Sequence, residues 1–233
     1  MKNLAIIPAR GGSKGLKNKN ILKFDNKPLL AWSILAAKKS KLFSKIIVST
    51  DSKKIAVIAK KYGAEVPFLR PKKLSSDRSK SVDLVIHALD FYKKKNLFFK
   101  NIFLLEPTSP LRDEKDIIRS FKYINKKKIK TLVSVSMINA QHPNYLSSIS
   151  TKQKLIPYLK KFKQLRRQDN KKLYFLDGNI YFSCTKTLYK NKSFYHNQTF
   201  AFNLPYWKSF EIDDLSDFKI TELIHKNKGV FRE

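Results

Sequence analysis

The chain contains a single cysteine and no long apolar run. Cys184 has no partner for an internal disulfide and no cysteines near it at zinc-binding spacing, which excludes a disulfide scaffold and a cysteine-based zinc module. No apolar segment approaches the roughly 20 residues that a membrane-spanning helix requires. The N-terminus also lacks the basic and then apolar pattern of a signal peptide. These absences predict a cytoplasmic protein with no membrane partner.

Acidic residues are scarce as well. The chain has 18 Asp and Glu against 49 Lys and Arg, which gives a formal net charge of +31. Such an excess is common in nucleic-acid-binding proteins, but these lysines are dispersed in short groups at predicted helix ends. No helix-turn-helix, zinc-finger or aromatic-sheet signature is present. We therefore expect an anionic substrate and no nucleic acid, and we keep nucleic-acid binding as the alternative from a different functional class.

Predicted strands and helices alternate along most of the chain. Hydrophobic residues make up 42% of the sequence, which is enough for a sizeable core in 233 residues. The predicted strands are residues 4–7, 45–50, 66–69, 101–105, 131–137, 173–183 and 210–212. The predicted helices are residues 28–42, 53–62, 81–92, 113–126, 186–189 and a last helix that Ser216 caps and that ends near residue 226. This order predicts one α/β domain over residues 1–233, with a doubly wound, mostly parallel sheet that binds ligands at its C-terminal strand ends.

Residues 139–172 interrupt the alternation. The segment is rich in lysine and carries scattered Leu, Ile, Tyr and Phe, without the period of a strand or of a helix. Two interpretations stay open: a surface excursion, or an arm that packs on a second subunit.

A glycine-rich basic loop, residues 7–20, follows the first predicted strand. Its glycines allow the backbone to approach a ligand closely, and its cations surround them with positive charge: Gly11, Gly12 and Gly15, with Arg10, Lys14, Lys17 and Lys19. The spacing fits neither the Walker A motif nor the dinucleotide fingerprint. The loop is either a flexible basic turn or a cradle for a polyphosphate, and its position after the first strand of an α/β pattern favours the cradle.

An acidic pair lies near the C-terminus. Glu211 and Asp213 flank Ile212, so in a strand with Ile212 in the core both carboxylates face one open side. Two such carboxylates suit Mg²⁺, which fills its other positions with water and phosphate oxygens. The alternative is a solvated strand end that leads into the acidic start of a helix, and spacing alone supports both equally. Together with the basic loop, the pair favours a metal-phosphate site.

Several motifs in one order resemble a known family. They are Arg10 with Ser13, Lys14, Gly15, Lys19 and Asn20, then Ser49, Thr50 and Asp51, then Arg70 and Ser81, then residues 104–112 reading LLEPTSPLR, then Arg167 with Gln168, then Glu211 to Asp213. This set resembles the acylneuraminate cytidylyltransferases, or CMP-sialic acid synthetases. The resemblance covers nearly the whole chain.

The resemblance implies a Rossmann-like homodimeric enzyme whose dimerisation arm is the segment near residues 139–172. It would transfer CMP from CTP to the anomeric hydroxyl of an acidic nonulosonic sugar, release pyrophosphate and use Mg²⁺. The implied nucleotide-binding residues are Arg10, Gly11, Gly12, Ser13, Lys14, Lys19, Asn20, Arg70 and Ser81. The implied sugar-binding residues are Glu106, Arg167, Tyr181, Phe194 and Tyr195. The implied metal ligands are Glu211 and Asp213, and the catalytic residues are Arg10, Lys14, Lys19 and Asp213.

The chain departs from the family pattern at positions that concern the sugar. Glu106 stands where Gln is common, Asp177 where Asn is usual, Glu211 where Asp is usual, and Tyr145 where a lysine often meets the sugar carboxylate. N-acetylneuraminate and a related nonulosonate, such as a legionaminate-like or deaminated sugar, are therefore both expected candidates. A cytidylyltransferase for 3-deoxy-manno-octulosonate is the alternative within the same fold.

Overall fold

A six-stranded sheet forms the centre of the molecule, whose computed structural model describes residues 2–76, 79–138, 141–159 and 166–231, without the side chain of Arg167. The strands are β1 (Asn3–Pro8), β2 (Lys23–Phe24), β3 (Lys27–Pro28), β4 (Lys45–Ser49), β5 (Asn101–Leu104), β6 (Thr131–Met137), β7 (Ser147–Ile149), β8 (Leu155–Pro157), β9 (Tyr174–Cys184) and β10 (Phe200–Asn203). The order across the central sheet is β10-β6-β9-β5-β1-β4. β1 is parallel to β4 and β5, and β10 is parallel to β6. β9 is antiparallel to both of its neighbours.

Helices pack on both faces of this sheet. They are α1 (Leu29–Ser40), α2 (Lys53–Lys61), α3 (Ser81–Lys93), α4 (Glu114–Lys127) and α5 (Thr185–Asn191). The last helix, α6 (Leu215–Lys226), instead packs through Phe218 on the cluster of Phe24, Leu29 and Ile212. Alternate residues of β1 point to opposite faces, so Ala5 and Ile7 pack with α1, α2 and α4, whereas Leu4 and Ile6 pack with α3 and α5. The predicted doubly wound α/β fold with a mostly parallel sheet is therefore confirmed.

The strand order places a crevice beside β1. The chain goes from β1 through α1 to β4 on one side, and later returns to β5 on the other side. Because of this reversal, the loops that follow β1 and β5 run to opposite sides and leave a space between them. Open α/β sheets bind ligands in such a space. The glycine-rich loop and the turn that begins at Glu106 both open onto this crevice.

Two predicted strands are wrong. Residues 66–69 make only isolated parallel bridges at their borders, Ile47 with Glu65 and Thr50 with Leu69, because Pro67 offers no N–H to a ladder. Residues 210–212 are extended but unpaired as a strand; Ile212 instead donates its N–H to the Thr108 carbonyl oxygen at 2.9 Å and packs against the cluster around Phe24. The short strand β10 was not predicted.

The predicted cap of the last helix is also wrong. Asp214, and not Ser216, caps α6, and its carboxylate accepts from the N–H of Asp217. The Asp217 carboxylate in turn accepts from the Asp214 N–H at 3.1 Å, which completes a capping box. Asp213 is thereby left outside the helix, directly before its N-cap.

The segment near residues 139–172 contains a small hairpin. Within its described part, β7 pairs with β8 in antiparallel register between two 3-10 turns, Pro143–Tyr145 and Arg167–Asp169. Residues 139–140 and 160–165 of the predicted arm lie outside the described residues. Across the described chain, no helix combines the length and the apolar character that crossing a bilayer demands.

Candidate active site

The glycine-rich loop is fixed by backbone contacts at both ends. The Gly11 N–H donates to Asp51 Oδ1 at 2.8 Å, and the Asn20 side-chain amide donates to the Arg10 carbonyl oxygen at 3.0 Å. Asn20 is buried, and a Cβ on Gly11 would lie only 3.1 Å from Ser52 Cβ. These contacts close the loop over the end of β4, so it is a constrained structure and not the flexible basic turn of the alternative interpretation.

Arg70 forms the wall opposite this loop. Its guanidinium is buried and donates to the Ser49 carbonyl oxygen at 2.5 Å and to the Leu74 carbonyl oxygen at 3.5 Å. Burial lowers the pKa of Arg70, although Asp51 and Glu106 oppose this shift. Ser81, the first residue of α3, lines the cleft on the same side.

The turn after β5 is held by a buried arginine. Arg112 donates from one terminal nitrogen to the Asn179 carbonyl oxygen at 2.6 Å, and from the other to the Glu106 carbonyl oxygen at 3.2 Å and Ser33 Oγ at 2.5 Å. These bonds join the turn to β9 and α1. Burial and the nearby Glu211 raise the pKa of Glu106 to about 7.

Of the acidic pair, Asp213 lines the cleft and Glu211 does not. Glu211 accepts from Ser109 Oγ at 3.3 Å, and loss of solvent around its carboxylate, together with Asp213 and Asp177, raises its pKa. The backbone of Gly178 lies against the Glu211 carboxylate. The φ angle of Gly178 is +67°, and a Cβ on this residue would overlap Glu211 Oε1. The Asp213 side chain is 82% exposed and pairs with Lys19 Nζ at 2.9 Å.

The crevice brings most of the predicted nucleotide and catalytic residues together. It is a cleft of about 460 Å³. Among its lining residues are Arg10, Ser13, Lys14, Lys19, Asn20, Arg70, Ser81, Glu106 and Asp213. Gly11 and Gly12 are not among these lining residues. Gly11 lies against Ser52, and Gly12 faces open space.

Three predicted sugar-binding residues line a neighbouring pocket. Tyr181, Phe194 and Tyr195 surround a volume of about 390 Å³ that shares Ser81 with the cleft. Phe194 is buried, and its ring centroid lies 5.7 Å from that of Tyr181. Burial and a hydrogen bond with Tyr195 raise the pKa of the Tyr181 phenol, which keeps it protonated. The side chain of Arg167, the remaining sugar-binding prediction, lies outside the described residues.

The donor set at the acidic pair suits a hard divalent cation. In the described residues, no cluster of three or more His, Cys, Asp or Glu side chains forms a complete protein cage. Glu211 and Asp213 supply oxygen ligands only, and the cleft in front of Asp213 is lined by cations that fit phosphate. Mg²⁺ is typically held by one or two carboxylates plus substrate phosphates and water. The neighbouring carboxylates that raise the pKa of Glu211 would be neutralised by such an ion.

Sequence reasoning missed three residues that support this site. Asp51 holds the glycine-rich loop, and Arg112 holds the turn that begins at Glu106. Gly178, which has no side chain, leaves room for the Glu211 carboxylate. Asp51 and Arg112 belong to the motifs that carried the resemblance, but a motif does not reveal which backbone group its side chains hold. A glycine inside a predicted strand was the available signal for Gly178.

Comparisons with known proteins agree with this architecture. A family description named Cytidylyltransferase matches residues 4–233. A CMP-N,N'-diacetyllegionaminic acid synthase of Legionella pneumophila is 40% identical over 95% of both chains. A pseudaminic acid cytidylyltransferase of Campylobacter jejuni is 32% identical over 97% of both chains. An N-acylneuraminate cytidylyltransferase of Escherichia coli is 36% identical over 98% of this chain, which spans 53% of that longer protein.

Solved structures share the fold. A CMP:2-keto-3-deoxy-manno-octonic acid synthetase complexed with CTP superposes with a TM-score of 0.71 at 13% identity, over 98% of this chain and 100% of the other. At that identity the likeness concerns the fold alone. The family match extends along nearly the whole sequence, and relatives above 30% identity cover it almost completely. The chain therefore belongs to the cytidylyltransferase family and is a nucleotidyltransferase, as its motifs predicted.

Proposed function

We propose that this enzyme transfers CMP from CTP to the anomeric hydroxyl of an acidic nonulosonic sugar and releases pyrophosphate. The proposal is supported by the convergence, in one cleft, of the cations of the loop after β1 with the carboxylate of Asp213. Relatives that act on legionaminic, neuraminic and pseudaminic acids support this class of sugar.

The nucleotide half of the site would use the loop and the wall opposite it. Arg10, Lys14 and Lys19 would bind the phosphates of CTP, where fixed cations offset the charge of the triphosphate in a partly enclosed cleft. Asn20, Arg70 and Ser81 would meet the cytidine. The contacts at Asp51 and Asn20 support this assignment, because they hold the loop in shape before any ligand binds.

The sugar half would occupy the pocket beside Ser81. Tyr181, Phe194 and Tyr195 offer ring faces and two phenols to a sugar. Glu106 lines the adjoining cleft and is close enough to Tyr181 to help raise the pKa of its phenol. The anomeric hydroxyl would attack the α-phosphorus in line, so that the bond to the β-phosphate oxygen breaks and pyrophosphate carries away the electron pair. The hydroxyl proton would pass to solvent or to the released pyrophosphate. Catalysis is then mainly positioning and charge neutralisation.

Enzymes of this kind generally use a divalent metal. We propose Mg²⁺, held by Glu211 and Asp213 with phosphate oxygens of CTP. When bound, this ion would stabilise the negative charge that develops on the transferring phosphoryl group. Arg10 and Lys14, which line the same cleft, would act on the same charge.

A homodimer is proposed as the working assembly. The hairpin of β7 and β8 carries apolar side chains that are mostly in solvent, among them Ile149 at 66% and Leu155 at 62% exposure. Exposed apolar groups concentrated on one small projecting element are typical of a protein interface. Sedimentation of the full chain tests this assignment, and a monomer at every concentration would contradict it.

The substrate panel is the direct test of function. Pyrophosphate release should require CTP, a divalent metal and a nonulosonic acid, and it should be lost in Asp213→Ala while the circular dichroism spectrum stays unchanged. Turnover with 3-deoxy-manno-octulosonate in place of the nonulosonic acids would favour the alternative, which at present rests on a likeness of fold at 13% identity. Salt-sensitive binding to DNA or RNA, without turnover of any sugar, would favour the nucleic-acid alternative.

A further inference from the structure

The side chain of Lys19, which lines the cleft, contacts the acidic segment at Ile212 and Asp213. Its Nζ donates to the Ile212 carbonyl oxygen at 2.7 Å and to Asp213 Oδ1 at 2.9 Å. The lysine side chain is only 14% exposed, whereas the Asp213 side chain is 82% exposed. The ammonium is thus fixed by a backbone carbonyl on its inner side and contacts a carboxylate that is otherwise open to solvent.

The proposed function assigns this lysine and this carboxylate to different partners. Lys19 is assigned to a phosphate of CTP, and Asp213 to a divalent metal. A metal on the same carboxylate oxygen, at about 2.1 Å, would lie within about 5 Å of the ammonium. Two cations at that distance repel each other strongly in a partly enclosed cleft. The contact from Lys19 to Asp213 Oδ1 and a metal on that oxygen therefore oppose each other.

We infer that Lys19 serves as the resident cation of Asp213 in the nucleotide-free enzyme, and that its transfer to a phosphate of CTP releases Asp213 for the metal. This inference rests on the proposed function. Nucleotide and metal then bind as coupled ligands: the phosphate draws the ammonium away, and the metal takes its place on the carboxylate. Each step keeps Asp213 neutralised.

The structure allows this exchange without movement of the backbone. Asn20, the neighbour of Lys19, is buried and bonded to the Arg10 carbonyl oxygen, which fixes the 3-10 turn Lys19–Ile21. Gly15 packs so closely on the Asp213 carbonyl oxygen that a Cβ would overlap it, which keeps the loop and the acidic segment together. The four-carbon stem of a lysine can re-aim its ammonium over several ångströms, and Lys19 lines the same cleft as Arg10 and Lys14.

Mn²⁺ binding to the nucleotide-free chain tests this inference without an activity measurement. Free Mn²⁺ would be measured by electron paramagnetic resonance during titration of the wild type, Lys19→Gln and Lys19→Met. Gln removes the charge and keeps a donor for the Ile212 carbonyl oxygen. Lys17→Met is the matched control, because Lys17 belongs to the same loop and is exposed. Thermal unfolding of each variant checks the fold.

Both Lys19 variants should bind Mn²⁺ about tenfold more tightly than the wild type, within the usual range of coupling between two ligands. Lys17→Met should stay within about twofold of the wild type. Equal affinity of the wild type and folded Lys19→Gln, or an equal gain in Lys17→Met, would overturn the inference. Adding Asp213→Asn to Lys19→Gln should remove the gain. A gain that survives this change would instead contradict the proposed metal site and leave the proposed function at fault.

Discussion

Gly178→Ala is expected to damage the site far more than the fold. A left-handed backbone at φ +67° costs a residue with a Cβ about 1–2 kcal/mol. The new methyl would also overlap Glu211 Oε1 and lie 2.5 Å from Glu211 Cδ and 3.0 Å from Ser109 Oγ. Glu211 has solvent on one side, so it can swing away and relieve the clash. The unfolding free energy should therefore fall by about 1–2 kcal/mol, while Glu211, the proposed metal ligand, is displaced.

Pyrophosphate release and urea unfolding, measured on the same preparation, separate the two effects. Loss of a positioned metal ligand should lower kcat/KM by about 100-fold. Gly229→Ala is the control, because no described atom beyond the adjoining backbone lies within 4 Å of its Cβ position, and it should change stability by less than about 0.5 kcal/mol. Adding Glu211→Asp to Gly178→Ala shortens the clashing side chain and should recover part of the activity. Wild-type kcat/KM in Gly178→Ala would refute the placement of Glu211 in the site.

Three further changes test other parts of the account. Gly15→Ala should weaken CTP binding, measured by calorimetry, about tenfold, because the added Cβ would overlap the Asp213 carbonyl oxygen. Gly12→Ala is the control, since the space around its Cβ position is open. Equal affinities of the two variants for CTP would contradict this expectation. The folded-state pKa of Glu106 is raised from 4.5 to about 7, so the folded state binds this proton more tightly and stability falls as pH rises through that window. Across this pH window the unfolding free energy of the wild type, measured with urea, should fall by up to about 3 kcal/mol, and that of Glu106→Gln should not show this fall. Lys208→Met removes the partner that lies 2.5 Å from the buried Asp116, which keeps its ion pair with Arg119 at 2.7 Å. The change should cost about 1–3 kcal/mol in thermal or urea unfolding, and an unchanged unfolding free energy would contradict the ion pair.

Local patterns were enough to predict the elements that surround the site. The buried strand β1, the glycine-rich loop after it and the alternation of strands and helices are all encoded in neighbouring residues, and the sheet rule then places ligands beside β1. The cleft gathers Arg10, Arg70 and Asp213 because the parallel sheet brings the ends of distant segments to one edge. The motif resemblance added the order of these segments, and the family match confirms that resemblance.

Long-range contacts were beyond the reach of those patterns. An extended segment looks alike in sequence whether or not it pairs, so residues 210–212 were predicted as a strand although Ile212 bonds to the Thr108 carbonyl oxygen instead. The contact between Arg112 and Asn179 spans 67 positions of the chain. The close contact between Gly178 and Glu211 forms only when β9 packs against the acidic segment near the C-terminus in the folded chain. The site assignments, including Arg167, stay predictions for the experiments proposed above.

In the proposed reaction a sugar hydroxyl displaces pyrophosphate from CTP in this cleft. Mass spectrometry of the product formed from CTP, Mg²⁺ and a nonulosonic acid shows whether this displacement takes place. We expect a CMP-linked sugar, formed in equal amount to the pyrophosphate released, and no such product from Asp213→Ala. Pyrophosphate without a CMP-linked sugar, or no product from any nonulosonic acid with the folded wild type, would contradict the account.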